Sequence, residues 1–485
     1  MGENIKSKTV RGVSWRMMER ILAQGVTFIV SLVLARKLEP AAYGAIAIIT
    51  VFITIANVFI TDGFSAALIQ KKNSDSLDYT TVLIGGFTLS LVLYSICFFV
   101  APIVADIYDM PILSPTLRVL ALRLPIASIN SVQIAYVSKK MQFKKFFFAT
   151  LGGTLISAVV GIAMAYGDFG VWALVGQNLT NYTIDTIVLF FAIRRIPRLR
   201  FSFDRMKVLF SFGYKILLTN LLFTLVDQLR TLIIGGVYSE EDLAYYSKGK
   251  NFPHLISNNI SSPISTVLFP AMSKLQTSVE NVKSFMRTSV QTISYLVTPL
   301  LMGLAAVSTS FVTLVLTEKW LPCVPFIVLG AIYYILPPIH STNLEAVKAI
   351  GRGDQVLKYG FIKRGVSVLT LIVSVWFGPI GIMCGLIASA IIATLINAYQ
   401  NKRLFEYTYK EQFVDMVPNI SLSFIMYACL MGIERLCLAL HPMATISIQF
   451  VSGVAIYVLI SLITRNKVFF RIIFVVKQKI KKNKI

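Results

Sequence analysis

This sequence is short of charge. Only 14% of its 485 residues are Asp, Glu, Lys or Arg, while 56% are hydrophobic; a soluble chain would carry roughly 25% charged residues. That excludes an ordinary soluble globular protein. Cysteine is scarce and scattered: Cys97, Cys323, Cys384, Cys429 and Cys437 lie in apolar segments with no CxxC spacing. They read as small buried hydrophobes, which excludes a disulfide framework and a cysteine metal site. Of the three histidines, His340 follows Pro337-Pro338, His441 falls in a connection, and neither shows a partner in the sequence. The glycines form no phosphate-binding loop. The connections are too short to hold an extramembrane domain and lack the acidic pairs expected of a membrane glycosyltransferase. No cleavable signal peptide is expected, because MGENIKSKTVRG is a polar basic flank and the apolar segment after it is too long and too charged. Lys6 stands where a myristoylation motif needs Ser or Thr.

What the chain has instead is long apolar runs. Fourteen candidate spans fall near 13–35, 41–61, 79–100, 117–137, 147–166, 171–193, 213–236, 251–272, 285–307, 322–341, 359–378, 380–400, 414–434 and 443–463. Each approaches or exceeds the ~20 residues that cross a bilayer as a helix. The expected fold is therefore all-α, a polytopic membrane protein of about 14 transmembrane helices. Phe311 to Leu316 is apolar but too short to cross, and is expected to cap the ninth span.

The net charge of +23 sits in the connections, where topology accounts for it, so nucleic acid is not an expected partner. With the N-terminus inside, the inner segments carry 32 Lys and Arg and the outer loops carry 6. This bias predicts both termini in the cytoplasm and an even number of spans. The basic tail VVKQKIKKNKI is expected to attract anionic membrane lipid.

The chain repeats after about 200 residues. Leu38-Glu39-Pro40-Ala41-Ala42-Tyr43-Gly44 is echoed by Glu241-Asp242-Leu243-Ala244-Tyr245-Tyr246-Ser247, with Tyr43 set on Tyr245 and Asn57 on Asn259. Gly167-Asp168-Phe169-Gly170 is echoed by Gly378-Pro379-Ile380-Gly381. Arg20, Gln24, Thr27 and Ser31 have the spacing of Asn220, Thr224, Asp227 and Thr231. Six spans per copy make parallel repeats, as in some transporters. The expected organisation is an N-terminal lobe (1–200), a C-terminal lobe (201–408), and two extra helices with a basic tail (409–485).

Charge inside spans is costly, about 3 kcal/mol by insertion scales, and marks function or tight packing. The first span carries Arg16, Glu19 and Arg20 on one face, continued by Gln24. The fourth carries Arg118 and Arg123, the sixth Asp185, and the seventh Lys215, Asp227 and Arg230, with Asp227 and Arg230 spaced to pair. The second shows Asn57; the eighth is rich in Ser and Asn, including Asn258 and Asn259, and is broken by Pro253, Pro263 and Pro270. Cations outnumber anions in this set, which suits an anionic substrate, and Arg matches phosphate with two parallel hydrogen bonds. Competing readings are structural: Arg16 and Lys215 can snorkel to the interface, Asp227–Arg230 can lock helices together, and the Ser/Asn stripe can bond between helices.

Fourteen spans, a six-plus-six repeat and a charged first helix resemble the multidrug/oligosaccharidyl-lipid/polysaccharide (MOP) exporter superfamily. Thr9-Val10-Arg11-Gly12-Val13-Ser14-Trp15, Leu34-Ala35-Arg36-Lys37-Leu38-Glu39-Pro40-Ala41-Ala42-Tyr43-Gly44 and Asp62-Gly63-Phe64 are similar to its polysaccharide branch, the Wzx-type flippases. The resemblance implies a non-enzymatic flippase of the bacterial cytoplasmic (inner) membrane. It would move undecaprenyl-diphosphate-linked oligosaccharide units by alternating access, beside a polysaccharide polymerase and chain-length machinery. Arg16 and Arg20 match the family's first-helix basic residues, thought to meet the diphosphate; Arg123 and Arg230 are added as substrate-binding candidates from their depth. Glu19, Gln24, Asn57, Asp185, Lys215, Asp227, Asn258 and Asn259 are candidates for cavity polarity or coupling. No cofactor and no metal are implied, and coupling to an H+ or Na+ gradient is left open. The alternatives are a lipid II flippase, a multidrug/cation antiporter of the same superfamily, or a polytopic glycosyltransferase, polymerase or ligase.

Overall fold

The computed structural model describes residues 2–61, 68, 71, 74–193, 200–276, 278–437 and 440–482. Within these, the side chains of 2–14, 16, 17, 20, 212, 215, 216, 263, 266, 475, 476 and 479–482 are not described. The chain forms two compact units, Met1–Ala244 and Tyr245–Ile485. The described residues are helical almost throughout. In order, α1 is Gly2–Lys37, α2 Pro40–Ile60, α3 Ser76–Ile107, α4 Leu113–Leu120, α5 Arg123–Lys139, α6 Phe143–Tyr166 and α7 Val171–Ile193. Then come α8 Phe203–Val237, α9 Glu240–Leu275, α10 Val279–Ala306, α11 Ser308–Val315, α12 Val324–Tyr334 and α13 Leu336–Ala349. The chain ends in α14 Gly353–Ser374, α15 Gly378–Phe405, α16 Tyr409–Leu436, α17 Pro442–Ile463 and α18 Lys467–Lys482. Every predicted span falls on one of these helices or on a broken pair; among the described residues, ten helical stretches are long and apolar enough to cross a membrane, against the fourteen spans expected.

Local sequence sets the helix starts. Pro40 opens α2, where its missing N–H costs nothing. Asp75 and Asp78 form a reciprocal cap on α3: Asp78 N–H donates to Asp75 Oδ1 at 2.9 Å and Asp75 N–H donates to Asp78 Oδ2 at 3.1 Å. Thr408 and Glu411 do the same for α16. Ser202, Ser239 and Ser278 cap α8, α9 and α10.

Proline sets the breaks and the neighbours. A proline cannot donate to the carbonyl four residues back, and in lipid that carbonyl needs another partner. Pro102 frees Phe98, whose carbonyl accepts from Arg118 Nε at 3.2 Å, with the Arg118 guanidinium 4.3 Å over the Phe98 ring. Pro299 frees Tyr295, whose carbonyl accepts from the Tyr457 hydroxyl at 2.9 Å. Pro338 frees Tyr334, whose carbonyl accepts from the Ser257 hydroxyl at 3.0 Å. Pro125 frees Ala121, the fourth span breaks there into α4 and α5, and Leu124 N–H takes the carbonyl at 2.9 Å. By contrast α9 runs from Glu240 to Leu275 with no break in the helix, contrary to the expectation from Pro253, Pro263 and Pro270. Helix breaks therefore depend on packing as well as on proline.

Helix breaks recur at the spacing of one of the sequence echoes. The breaks after Lys37 and Val237 lie 200 residues apart, the spacing of the Arg20 and Asn220 stripes. The loop echo, with Tyr43 on Tyr245 and Asn57 on Asn259, has a spacing of 202 residues. Gly44 is required sterically: a β-carbon there would lie 2.0 Å from the backbone oxygen of Glu240.

Each unit ties its connections together. In the first, the carboxylate of Asp78 is fully buried and accepts from Lys71 Nζ at 2.7 Å and Arg205 Nη1 at 2.9 Å. Lys139 Nζ donates to Ser74 Oγ at 2.5 Å and to the carbonyl of Lys71. Thr80 Oγ1 donates to the carbonyl of Arg200 at 2.8 Å. The 62–78, 138–146 and 194–212 connections, which the charge bias puts on one side, thus meet on one side. Two of the connections assigned to the other side also meet, through Lys37 and Asp168 at 2.9 Å. That hydrogen bond raises the Lys37 ammonium above its ordinary pKa. In the second unit, Arg287 grips Asp415 through Nε and Nη2 at 2.8 and 3.1 Å. Asp415 also accepts from Gln291 at 2.6 Å and Tyr407 at 2.8 Å, and Lys283 pairs with Glu411 at 3.0 Å. These contacts fix α16, the first of the two extra helices, on α10.

Candidate functional site

The polar residues of the first unit gather where α1, α6 and α7 meet. On α7, Gln177, Asn181 and Asp185 recur every fourth residue and share one face. They face Gly161, Ser157 and Gly153 of α6, a stripe of small residues that lets the backbones approach closely. Asn181 Nδ2 donates to Ser157 Oγ at 3.4 Å. A β-carbon at Gly153 would lie 1.9 Å from Asp185 Oδ1, so this carboxylate rests directly on the α6 backbone. Its Oδ1 is buried with no hydrogen-bond partner, and Glu19 of α1 acts on it electrostatically. A buried, incompletely bonded carboxylate is costly, which points to function or to another conformation that completes it.

Arg123 lies at the start of α5, and its guanidinium stacks 3.7 Å over the Tyr182 ring and donates to the Tyr182 hydroxyl. Tyr182 is three residues before Asp185, on the adjoining part of α7. Arg230 on α8 is buried, at 4% exposure, and Asp227 is exposed. Asn57 is half-buried on α2 and its Oδ1 is a further buried acceptor without a donor. Gln24 is half-buried, and Ser31 donates to its own helix at Phe28. The backbones at Arg16, Arg20 and Lys215 lie on α1 and α8, but these three side chains are outside the described residues, as are Asp62-Gly63-Phe64.

In the second unit, Asn258 is half-buried and Asn259 exposed on α9. Part of that stripe is interhelical bonding, since Ser257 serves the Tyr334 carbonyl. The sequence did not reveal a buried polar cluster on α13, α14 and α15. His340 has a partner after all: its Nε2 lies 2.7 Å from Thr394 Oγ1. Lys363 Nζ donates to Asn397 Oδ1 at 3.0 Å. Asn343 Oδ1, Asn397 Nδ2 and Gln400 Nε2 are buried without partners. Thr394, Asn397 and Asn401 at helical spacing, inside an otherwise apolar span, were the available signal. His441 also gains a role, accepting from Met443 N–H at 3.3 Å as the cap of α17.

Ionisable and amide groups buried between membrane-length helices are the marks of a membrane transporter. The fold is shared with solved transporters: it matches the lipid II flippase MurJ in an inward closed conformation with a TM-score of 0.74, at 15% identity, over 94% of this chain and 99% of that one, and an inward-facing MATE family transporter of the MOP superfamily with a TM-score of 0.61, at 15% identity, over 79% of this chain and 96% of that one.

Within that class, the chain belongs to the family of polysaccharide biosynthesis proteins, whose pattern matches residues 33–325. It is 23% identical to the lipopolysaccharide biosynthesis protein WzxC of Escherichia coli (strain K12), over 82% of this chain and 81% of WzxC. It is also 23% identical to the succinoglycan biosynthesis transport protein ExoT of Rhizobium meliloti (strain 1021), over 75% of this chain and 74% of ExoT.

Proposed function

We propose that this protein flips a lipid-linked oligosaccharide, carried on undecaprenyl diphosphate, across a bacterial cytoplasmic membrane for surface polysaccharide synthesis. The observation that carries the reading is family membership together with likeness, over most of the chain, to relatives named for polysaccharide biosynthesis and transport. The buried Arg230 and the stacked Arg123 support an anionic head group as cargo. In this reading the chain crosses the membrane fourteen times with both termini in the cytoplasm. Two six-helix lobes alternate access to a cationic cleft. Arg16, Arg20 and Arg230 replace the water around the diphosphate, and Asp185 with Glu19 is where an H+ or Na+ gradient would couple.

Complementation of a flippase-null strain tests this. The wild-type chain restores surface polysaccharide. Arg20→Ala abolishes it at unchanged membrane abundance, and Arg20→Lys restores part, since charge remains but the two-pronged grip is lost. Wild-type polysaccharide from Arg20→Ala would remove Arg20 from the mechanism, and failure of the wild-type chain in every polysaccharide background would remove the function.

A further inference from the structure

The segment after the last membrane-length helix is built for a surface. Arg465 takes a left-handed φ of 48°, and Asn466 N–H bonds back to the carbonyl of Ser461 at 3.0 Å, so α17 ends in a fixed turn. Asn466 then starts α18: its Oδ1 accepts from Val468 N–H at 2.9 Å and Phe469 N–H at 3.2 Å. Its Nδ2 donates to Asn419 Oδ1 at 2.9 Å, and Asn419 in turn donates to Ser294 Oγ at 2.9 Å and the Gln291 carbonyl at 3.0 Å. One hydrogen-bonded ladder therefore connects the root of α18 to α16 and α10.

Beyond that root, α18 divides its faces. Val468 is buried, and Phe469 and Ile472 pack on the core of the second unit. Phe470 and Phe474, one turn apart, stay exposed at 46% and 61%, beside the exposed Lys467, Arg471 and Lys477. From Lys467 onward the sequence has seven basic residues and no acidic one. The helix would run about 24 Å and starts four residues after a membrane-length helix ends, so a bilayer surface is the nearest large partner. An apolar edge flanked by lysines fits the boundary between anionic head groups and acyl chains.

We propose that α18 is a lipid-sensing helix that lies in the membrane interface, with Phe470 and Phe474 in the acyl boundary and its cations on anionic phospholipid. Through Asn466, binding of that lipid steadies the α10–α16–α17 assembly.

The test uses the full-length protein with its five native cysteines replaced by serine and an environment-sensitive fluorophore attached through Phe474→Cys. The protein is reconstituted into phosphatidylcholine vesicles with or without phosphatidylglycerol. With phosphatidylglycerol, the emission should shift to the blue, brominated acyl chains should quench it, and high salt should reverse part of both effects. The combined variant Lys477→Gln, Lys479→Gln, Lys481→Gln and Lys482→Gln should lose the lipid dependence. Phosphatidylglycerol should also raise the melting temperature of the wild type and not of an Asn466→Ala variant. A fluorophore equally wet in both vesicles overturns the proposal, as does burial that ignores lipid charge and salt, or protection that requires a second protein. None of these readouts depends on transport, so they can fail while the flippase reading stands, and the reverse.

Discussion

The hydroxyl of Tyr457 donates at 2.9 Å to the carbonyl of Tyr295, the carbonyl that Pro299 leaves without its helical donor. Tyr457→Phe strands that carbonyl, with an expected cost of about 1–3 kcal/mol. Pro299→Ala restores the helical N–H, so in that background the same substitution should cost much less. Thermal denaturation of the four proteins of this cycle measures the coupling. Equal losses in both backgrounds would show that the hydroxyl does not serve the proline gap.

Arg287 and Asp415 form the main polar clamp between α10 and α16, and the Asp415 carboxylate is only 2% exposed. The Arg287 side chain is itself 36% exposed, so its removal should cost less than the ~3–5 kcal/mol of a fully buried pair. Arg287→Ala should therefore lower membrane abundance and melting temperature. Arg287→Lys should recover little, since Nε and Nη2 both bond to the carboxylate. Normal stability in Arg287→Ala would mean that apolar packing alone holds α16.

Gly153→Ala places a methyl 1.9 Å from Asp185 Oδ1 and 2.9 Å from the Asn181 carbonyl. The backbone oxygen cannot move aside without separating α6 from α7. The variant should lose melting temperature and polysaccharide export together. Gly152→Ala, with nothing within 4 Å, is the matched control and should behave as wild type. A fully active Gly153→Ala protein would show that Asp185 is free to reorient.

Topology is checked by labelling single cysteines in intact cells with an impermeant reagent. Asp168, with its side chain 80% exposed, should be labelled when replaced by cysteine. A cysteine at Ser202, in the connection that bonds to Thr80 and Asp78, should be labelled only after the membrane is permeabilised. The opposite pattern would invert the protein in the membrane.

Helix content and span positions were legible because twenty-residue apolar runs have few alternatives in a bilayer. The grouping of the loops was partly legible too: lysines and arginines of connections that the charge bias puts on one side make the ties at Asp78 and Asp415. Partner choice was less legible. Arg118 looked like a buried charge and proves to cover the carbonyl at Phe98, since a proline sixteen residues earlier created the vacancy. His340 looked isolated because Thr394 is 54 residues away. Asp185 stood out in the sequence as a carboxylate inside a span, but its seat on Gly153 depends on how α6 and α7 cross, and single-residue hydropathy does not encode that.

The proline vacancies also set a schedule for biogenesis. Phe98 finds its donor only 20 residues downstream, and Ser257 is synthesised 77 residues before the carbonyl it serves. Tyr295 waits for a donor 162 residues later, in the last membrane-length helix to leave the ribosome. Until that helix arrives, α10 lacks the donor for its Tyr295 carbonyl, although Asp415 on the earlier α16 is already available to Arg287. A nascent chain that stops before Tyr457 therefore lacks the one side-chain donor that the Tyr295 carbonyl has in the finished protein.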